Sequence, residues 1–220
     1  LRAGNAASVR GAASMVAQAI GAARAARATG EVVVRGDSAF YTKKIITTCR
    51  RHHVRFSVTT HTDAKIRTAI TAIDEDTWIG IKYPHAVWDA DEHRWISQAQ
   101  ITETVSTAFA GTRHAVTARL IVRRVPRQSD IDGQGDLFPT YRYHAVFTDS
   151  PFVLVEAESQ HRQHAVIEQV NADLIDGPLA HLPSGPFAAN SAWLTCATMA
   201  HNLTRAAGCL AAPHYATARA

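Results

Sequence analysis

The stretch Val32–Tyr41, VVVRGDSAFY, constrains this chain more than any other. Three consecutive β-branched residues read as a short, fully buried strand, because branching at Cβ suits an extended, packed backbone. Arg35-Gly36 ends that strand, and Asp37 stands where it opens into a loop. The amphipathic run Thr42–Arg51 follows as a helix, with Ser38 as its expected cap. A second strand, Val54–Thr60, comes next. Strand, helix and strand within about thirty residues make a βαβ unit, so the two strands are expected to be parallel neighbours. A carboxylate just past the carboxyl end of such a strand lies where open α/β sheets receive ligands. On these residues alone, a helix-capping role explains Asp37 equally well.

Length and composition bound the rest. The chain has 220 residues, with 46% hydrophobic and 19% charged side chains, which fits one large globular domain or a core with an insertion. It contains no apolar run of about 18 residues, so no membrane span or membrane partner is expected. The alanine-rich opening is interrupted by Arg2, Arg10, Arg24 and Arg27, which argues against a secretory signal. The three cysteines, Cys49, Cys196 and Cys209, cannot all pair and have no metal-ligand spacing. That usage points to a reducing cytoplasm. A net charge of +4 permits nucleic-acid binding without requiring it. The first residue is Leu1, and Leu1–Asn5 reads as a strand end entering a loop, so a fragment beginning inside a domain is expected.

Along the chain, Ala12–Thr29 reads as an alanine-rich helix stopped by Gly30, and Asp63–Ile73 as another helix. From Trp78 the texture becomes β-like, and His114–Pro126 and Tyr141–Asp149 read as partner strands. Ser129–Asp136 superficially resembles a calcium loop, but Tyr141 stands where the closing Glu belongs, so a hairpin tip is expected. Ala157–Ile175 is helical, with an apolar stripe at Val166, Val170 and Leu174. Another face of it carries His161, His164, Glu168 and Ile175. Phe187–Ala207 reads as a buried helix in which Asn190 and Asn202 need partners. The expected organisation is residues 1–77 as half of a core sheet, 78–150 as an inserted β-rich segment, and 151–220 as helices.

Two carboxylates are the chemical focus. Asp37 and Glu168 are hard oxygen donors of the kind Mg²⁺ takes, and such ions serve phosphodiester chemistry. A two-ion site generally needs a third acid. Residues 1–36 contain no Asp, and their only acid, Glu31, lies at the far end of the same strand. Taken alone, Glu168 reads as a solvated helix-face residue. HRQHAVIE lacks the H-E-x-x-H arrangement of a helical zinc site, so zinc is not expected. The run Lys43, Lys44, Arg50, Arg51, His52, His53 and Arg55 fits either solvated surface or a DNA backbone track. Arg119, Arg123, Arg124, Arg127 and Arg142 line two adjacent expected strands, and backbone contact is favoured for them. Trp88 and Trp95 read as packing residues.

VVVRGDSAFY resembles the second-aspartate block of bacterial insertion-sequence DDE transposases. The segment HRQHAVIEQVNADLIDGPLAHLPSGPFAANSAWLTCATMAHNL resembles their glutamate block and the helices after it. The order of parts is also similar, over nearly the whole chain, with Leu1–Ala6 resembling a loop after a third core strand. The resemblance implies an α/β (mixed α+β) fold, an RNase H-like core, N-terminally truncated here, with an inserted β segment and C-terminal helices. It implies Asp37 and Glu168 as metal ligands and catalytic residues for two Mg²⁺ or Mn²⁺ ions. It further implies DNA as partner, a homodimer in a synaptic complex, and a nucleoid-associated location. The ions would drive cleavage of element ends and joining of a 3′-hydroxyl to target DNA. The first aspartate would lie upstream of Leu1, leaving this fragment inactive alone.

The family's Tyr, Arg and Lys around the glutamate fall at His161, His164 and Ile175. Protonated histidine can donate to phosphate, whereas isoleucine cannot replace a lysine; Arg162 is expected to assume part of that role. The DNA-contacting set implied is therefore His161, Arg162, His164, Lys43, Lys44, Arg123 and Arg124. Two other readings compete: a DNA-binding remnant without activity, and an RNase H-like nuclease unconnected with transposition.

Overall fold

The computed structural model describes residues 7, 9–89, 94–126, 140–163 and 166–211. Leu1–Ala6, the expected hairpin tip at Ser129–Asp136 and His164 lie outside the described residues. The chain divides into two units, Ser8–Arg162 and a helical unit comprising Leu1–Ala7 with Gln163–Ala220.

The larger unit is built on the expected βαβ element. Strand β1 (Val33–Gly36) pairs in parallel with β2 (Arg55–Thr59), in the register Val33↔Arg55 to Gly36↔Val58. Between them runs α2 (Lys43–Arg51), preceded in the chain by α1 (Ala12–Ala25). After β2 come α3 (Ala64–Thr71) and four antiparallel strands: β3 (Ile79–Asp89), β4 (Arg94–Ala108), β5 (Val116–Pro126) and β6 (Tyr141–Thr148). All belong to one six-stranded sheet in the order β1-β2-β6-β5-β4-β3. Residues 78–150 thus continue the sheet through the antiparallel pair Ser57↔Thr148 of β2 and β6. The expected β5–β6 partnership is present, from Arg119↔Thr148 to Pro126↔Tyr141. Trp88 and Trp95 are register partners; their side chains are outside the description.

Alternation along the strands gives the sheet two unlike faces. One is apolar. Phe56, Val58 and Phe147 pack there with Ile45, Ile46 and Cys49 of α2 and Ile20 of α1, and the Phe56 and Phe147 rings stack at 5.5 Å. Farther along the same face, Leu120, Val122 and Ala145 meet Ile66 and Ile70 of α3. The opposite face carries Arg35, Ser57, Thr59, Arg119, Arg123 and His144. Within this unit α4 (Leu154–Arg162) lies across it, anchored by Ala157 against Ile121 and Val146.

Several local expectations are corrected. Strand β1 is half-buried rather than fully buried, because it lies at the sheet edge. Ser38 does not cap α2. A short 3₁₀ turn, Ser38–Phe40, intervenes, and Thr42 accepts the Ile45 N–H at the helix start. Helix α1 stops at Ala25, before Gly30. Arg27 takes the left-handed conformation (φ 60°), while the Arg27 and Ala28 amides donate to Arg24 and Ala23 carbonyls. This is the Schellman pattern, closed by an arginine in place of glycine. His53 (φ 51°) ends α2 in the same way, with Val54 N–H donating to Cys49 O.

The helical unit contains α5 (Val166–Asp176) and α6 (Phe187–Ala211). The expected single helix over Ala157–Ile175 is therefore described as two segments, α4 and α5. Asn190 has the partners it needs: its Oδ1 accepts from Ser184 N–H and its Nδ2 donates to Ser184 O, which fixes the loop before α6. Trp193 Nε1 donates to Pro178 O across that loop. Helix α6 is not the buried helix expected. Trp193, Met199 and Leu203 are exposed, as is Asn202, while Asn190, Ala197 and His201 are buried. The 25-residue α6 presents more apolar length than the 11-residue α5 can cover.

Candidate functional site

Asp37 follows the carboxyl end of β1 directly, in extended conformation. Its Oδ1 accepts the Ala39 N–H at 2.8 Å, so the sequence-level cap reading is realised at the 3₁₀ turn. The side chain is exposed, and among the described residues Oδ2 has no partner. A carboxylate with one oxygen fixed by backbone and one directed outward is a suitable hard donor for Mg²⁺. Asp149, by contrast, serves structure. It accepts the Phe56 N–H at the opposite end of β2, and burial pushes its carboxyl above the usual range.

Glu168 lies in the first turn of α5, exposed and without a hydrogen bond or ion pair among the described residues. Asp37 belongs to the larger unit and Glu168 to the helical one. Among the described residues, no three or more His, Cys, Asp or Glu side chains gather closely enough to hold a metal ion.

His161 is not a surface donor. It is 5% exposed, with Nδ1 2.9 Å from Ser57 Oγ and Nε2 3.0 Å from Thr59 Oγ1. Both ring nitrogens thus bond strand hydroxyls on the polar face, which corrects the expected phosphate contact. Arg35, one strand over, donates to the Gln160 carbonyl. These bonds fasten the carboxyl end of α4 over the β1–β2 ends, since Thr59 lies one step past the Gly36↔Val58 pair, level with Asp37.

The basic residues divide sharply. Lys43 and Lys44 are exposed at the start of α2. Arg124 is only 4% exposed. Its Nη1 and Nη2 donate to both Glu75 oxygens at 2.7 Å and its Nε to Gln100. Its guanidinium is stacked between Trp78 and Tyr141 at 4.1 and 4.2 Å. That burial corrects the expected DNA contact, because the guanidinium is already committed. The Arg124 guanidinium in turn holds the Glu75 carboxyl below its usual range. Arg123 points to the other face, 3.6 Å from Glu158 and 3.4 Å from Tyr83 Oη. Arg162 bonds both Glu158 oxygens at 2.8 and 2.9 Å and stacks on the Tyr83 ring at 4.5 Å.

Sequence reasoning missed Glu158, Tyr83 and His144. The Glu158–Arg162 spacing of four on a helix was the available signal; nothing local marked Tyr83.

The molecule is thus a mixed α+β protein whose sheet sets an apolar face against a polar, arginine-bearing one, with an exposed carboxylate at a parallel strand end. The chain belongs to the DDE transposases: the model of the family "Transposase DDE domain group 1" matches residues 1–220. No curated protein matches the chain.

Proposed function

We propose that this chain acts in DNA transposition through an RNase H-like core in which Asp37 and Glu168 share a divalent-metal centre. The observation that carries this reading is the fastening of α4. His161 and Gln160 lie over the strand ends next to Asp37, whose exposed carboxylate keeps Oδ2 without a partner among the described residues. Asp37 and Glu168 would hold Mg²⁺ or Mn²⁺, which would supply the Lewis acidity that phosphodiester cleavage and 3′-hydroxyl joining need. The Ala39 amide holds one Asp37 oxygen and leaves the other to ligate. Glu168 contributes a second carboxylate, favoured where it is by the positive end of the α5 dipole. Lys43 and Lys44, with Arg123 and Arg162, supply donors for DNA phosphates. Cleaving element ends and joining them to target would proceed in a homodimer that holds two ends.

The test is Mn²⁺ titration of the labelled chain, followed by nuclear magnetic resonance. Signals of residues 37–39 and 167–169 should broaden together at low Mn²⁺, and Asp37→Asn should remove the broadening at Glu168. Broadening at one site without the other overturns the shared centre.

A second reading, DNA binding without cleavage, is favoured by Ile175. It is 60% exposed where relatives of the resembling family carry lysine. Its signature is salt-dependent DNA binding indifferent to Mg²⁺ and to Asp37→Ala. A nuclease unconnected with transposition would cut DNA without joining 3′-hydroxyl ends.

A further inference from the structure

Helix α6 has two long faces, and the rest of the protein covers one of them. Asn190, Ala197 and His201 are buried, with Leu194, Arg205 and Gly208 half-buried along the same stripe. On the opposite side Ala192, Cys196, Met199, Leu203, Ala206 and Leu210 are all exposed. Their spacing alternates between four and three residues, the repeat of a two-helix seam. Met199, Leu203 and Leu210 are 59%, 69% and 89% exposed. Large apolar side chains in such a row differ from the single ones scattered over an ordinary surface. The seam and its flanks carry no charge: α6 has no acidic residue and one arginine, Arg205, on the inner side. A DNA backbone or an anionic lipid surface therefore meets no cation there to attract it.

We propose that this seam pairs antiparallel with the same seam of a second copy of the chain. In an antiparallel pair, side chains meet when they stand equally far from the two-fold axis, on opposite sides of it. With the axis level with residue 201, Leu210 faces Ala192, Cys196 faces Ala206, and Leu203 faces Met199. The outer layers thus set a larger side chain against an alanine, and the inner ones set flexible Met199 against Leu203. On the flanks Trp193 falls beside Ala207, and Asn202 beside its own copy, which gives that exposed amide a hydrogen-bond partner. A parallel pair would instead put each residue on itself, crowding the leucines and leaving gaps at Ala192 and Ala206. One patch that complements itself is what a closed two-fold dimer requires. The seam runs about 27 Å along the helix, a modest length, so association in the micromolar range is expected. The pairing goes beyond the proposed function, which calls for two copies on DNA but names no surface between them. It needs neither DNA nor metal.

The test is sedimentation equilibrium of the full chain over micromolar concentrations, in EDTA and a reducing agent and without DNA. The chain should pass from monomer to dimer as concentration rises. Leu203→Glu should weaken the dimer about 100-fold or more, because each copy then buries a carboxylate in the seam. If Leu203→Glu does not fold, Ala206→Glu is expected to give the same reading. Thr198→Glu, exposed but off the seam, should leave the dimer unchanged. Mild oxidation reads the register. In the antiparallel pair the two Cys196 thiols stand ten residues, about 15 Å, apart along the axis, beyond disulfide reach. Cys209→Ser alone should therefore not cross-link, whereas Ala206→Cys combined with Cys209→Ser should join the two chains. A monomer at every concentration, a dimer indifferent to Leu203→Glu, or a double variant that cross-links no better than Cys209→Ser overturns the pairing. Dimers that form only on added DNA overturn this surface while leaving the transposition reading intact. A monomer that binds phosphatidylglycerol vesicles, and loses them with Leu203→Glu, assigns the face to lipid and overturns the pair.

Discussion

The two faces of the sheet are made by the same strands and do opposite work. On β5, Leu120 and Val122 turn to the apolar face and are fully buried against α3. Arg119 and Arg123, one residue out of step, turn to the polar face beneath α4. On β2, Phe56 and Val58 join the core while Ser57 and Thr59 hold His161. Stability is thus gathered on one side, where each buried aliphatic or aromatic side chain contributes about 1.5–3 kcal/mol. Polar and charged groups are gathered on the other. Substitutions on the polar face leave the larger apolar clusters around Phe56, Phe147, Leu120 and Val122 in place.

Substitutions on each side can break or sharpen this contrast. Phe147→Ala should have the largest effect, a loss of about 3–5 kcal/mol, because the cavity opens between Phe56 and Tyr41. Urea unfolding would measure it, and a loss below 1 kcal/mol, by that same scale, would mean the apolar face is not the seat of stability. Next is acidification acting on the polar face. The His144 imidazole, held down to about 4 in the fold, titrates near 6.5 when unfolded. Below about 4 both states bind the proton; between the two values only the unfolded chain does, so stability rises with pH across that window and is fully present above 6.5. The loss on going from pH 7 to 4 is up to about 3 kcal/mol. His144→Gln should flatten that slope in melts across the same range. Ser57→Ala removes one bond to His161 and should cost about 1 kcal/mol, with exchange of the α4 amides rising more than that of α2. Smallest is Arg27→Gly at the end of α1, on the apolar side. It relieves a left-handed non-glycine residue and should raise the melting temperature by a few degrees at most.

The βαβ unit was legible because it is written in local signals: a β-branched run, an amphipathic helix and a second apolar strand. The pairing of β5 and β6 was legible from the β-branched and aromatic enrichment of the two segments that flank one loop. What escaped depends on neighbours distant in sequence. The edge position of β1 follows from strand order, which no local pattern encodes, so three valines read as fully buried when they are half-exposed. Arg123 and Arg124 look identical in sequence, yet one alternation step sends them to different faces and different partners. His161 is expected to reach a phosphate because of the position it takes in the family resemblance; its hydroxyl partners lie about a hundred residues away on β2. The helix stops at Arg27 and His53 were hidden because the motif usually announces itself with glycine.

The position of Asp37 carries a consequence for what can approach it. Its carboxylate is exposed at the rim of the sheet, at the tip of the outermost strand. A long stiff polymer can lie alongside such a rim without threading or bending into an enclosure. An edge position favours discrimination by many shallow touches strung out along the polymer's length.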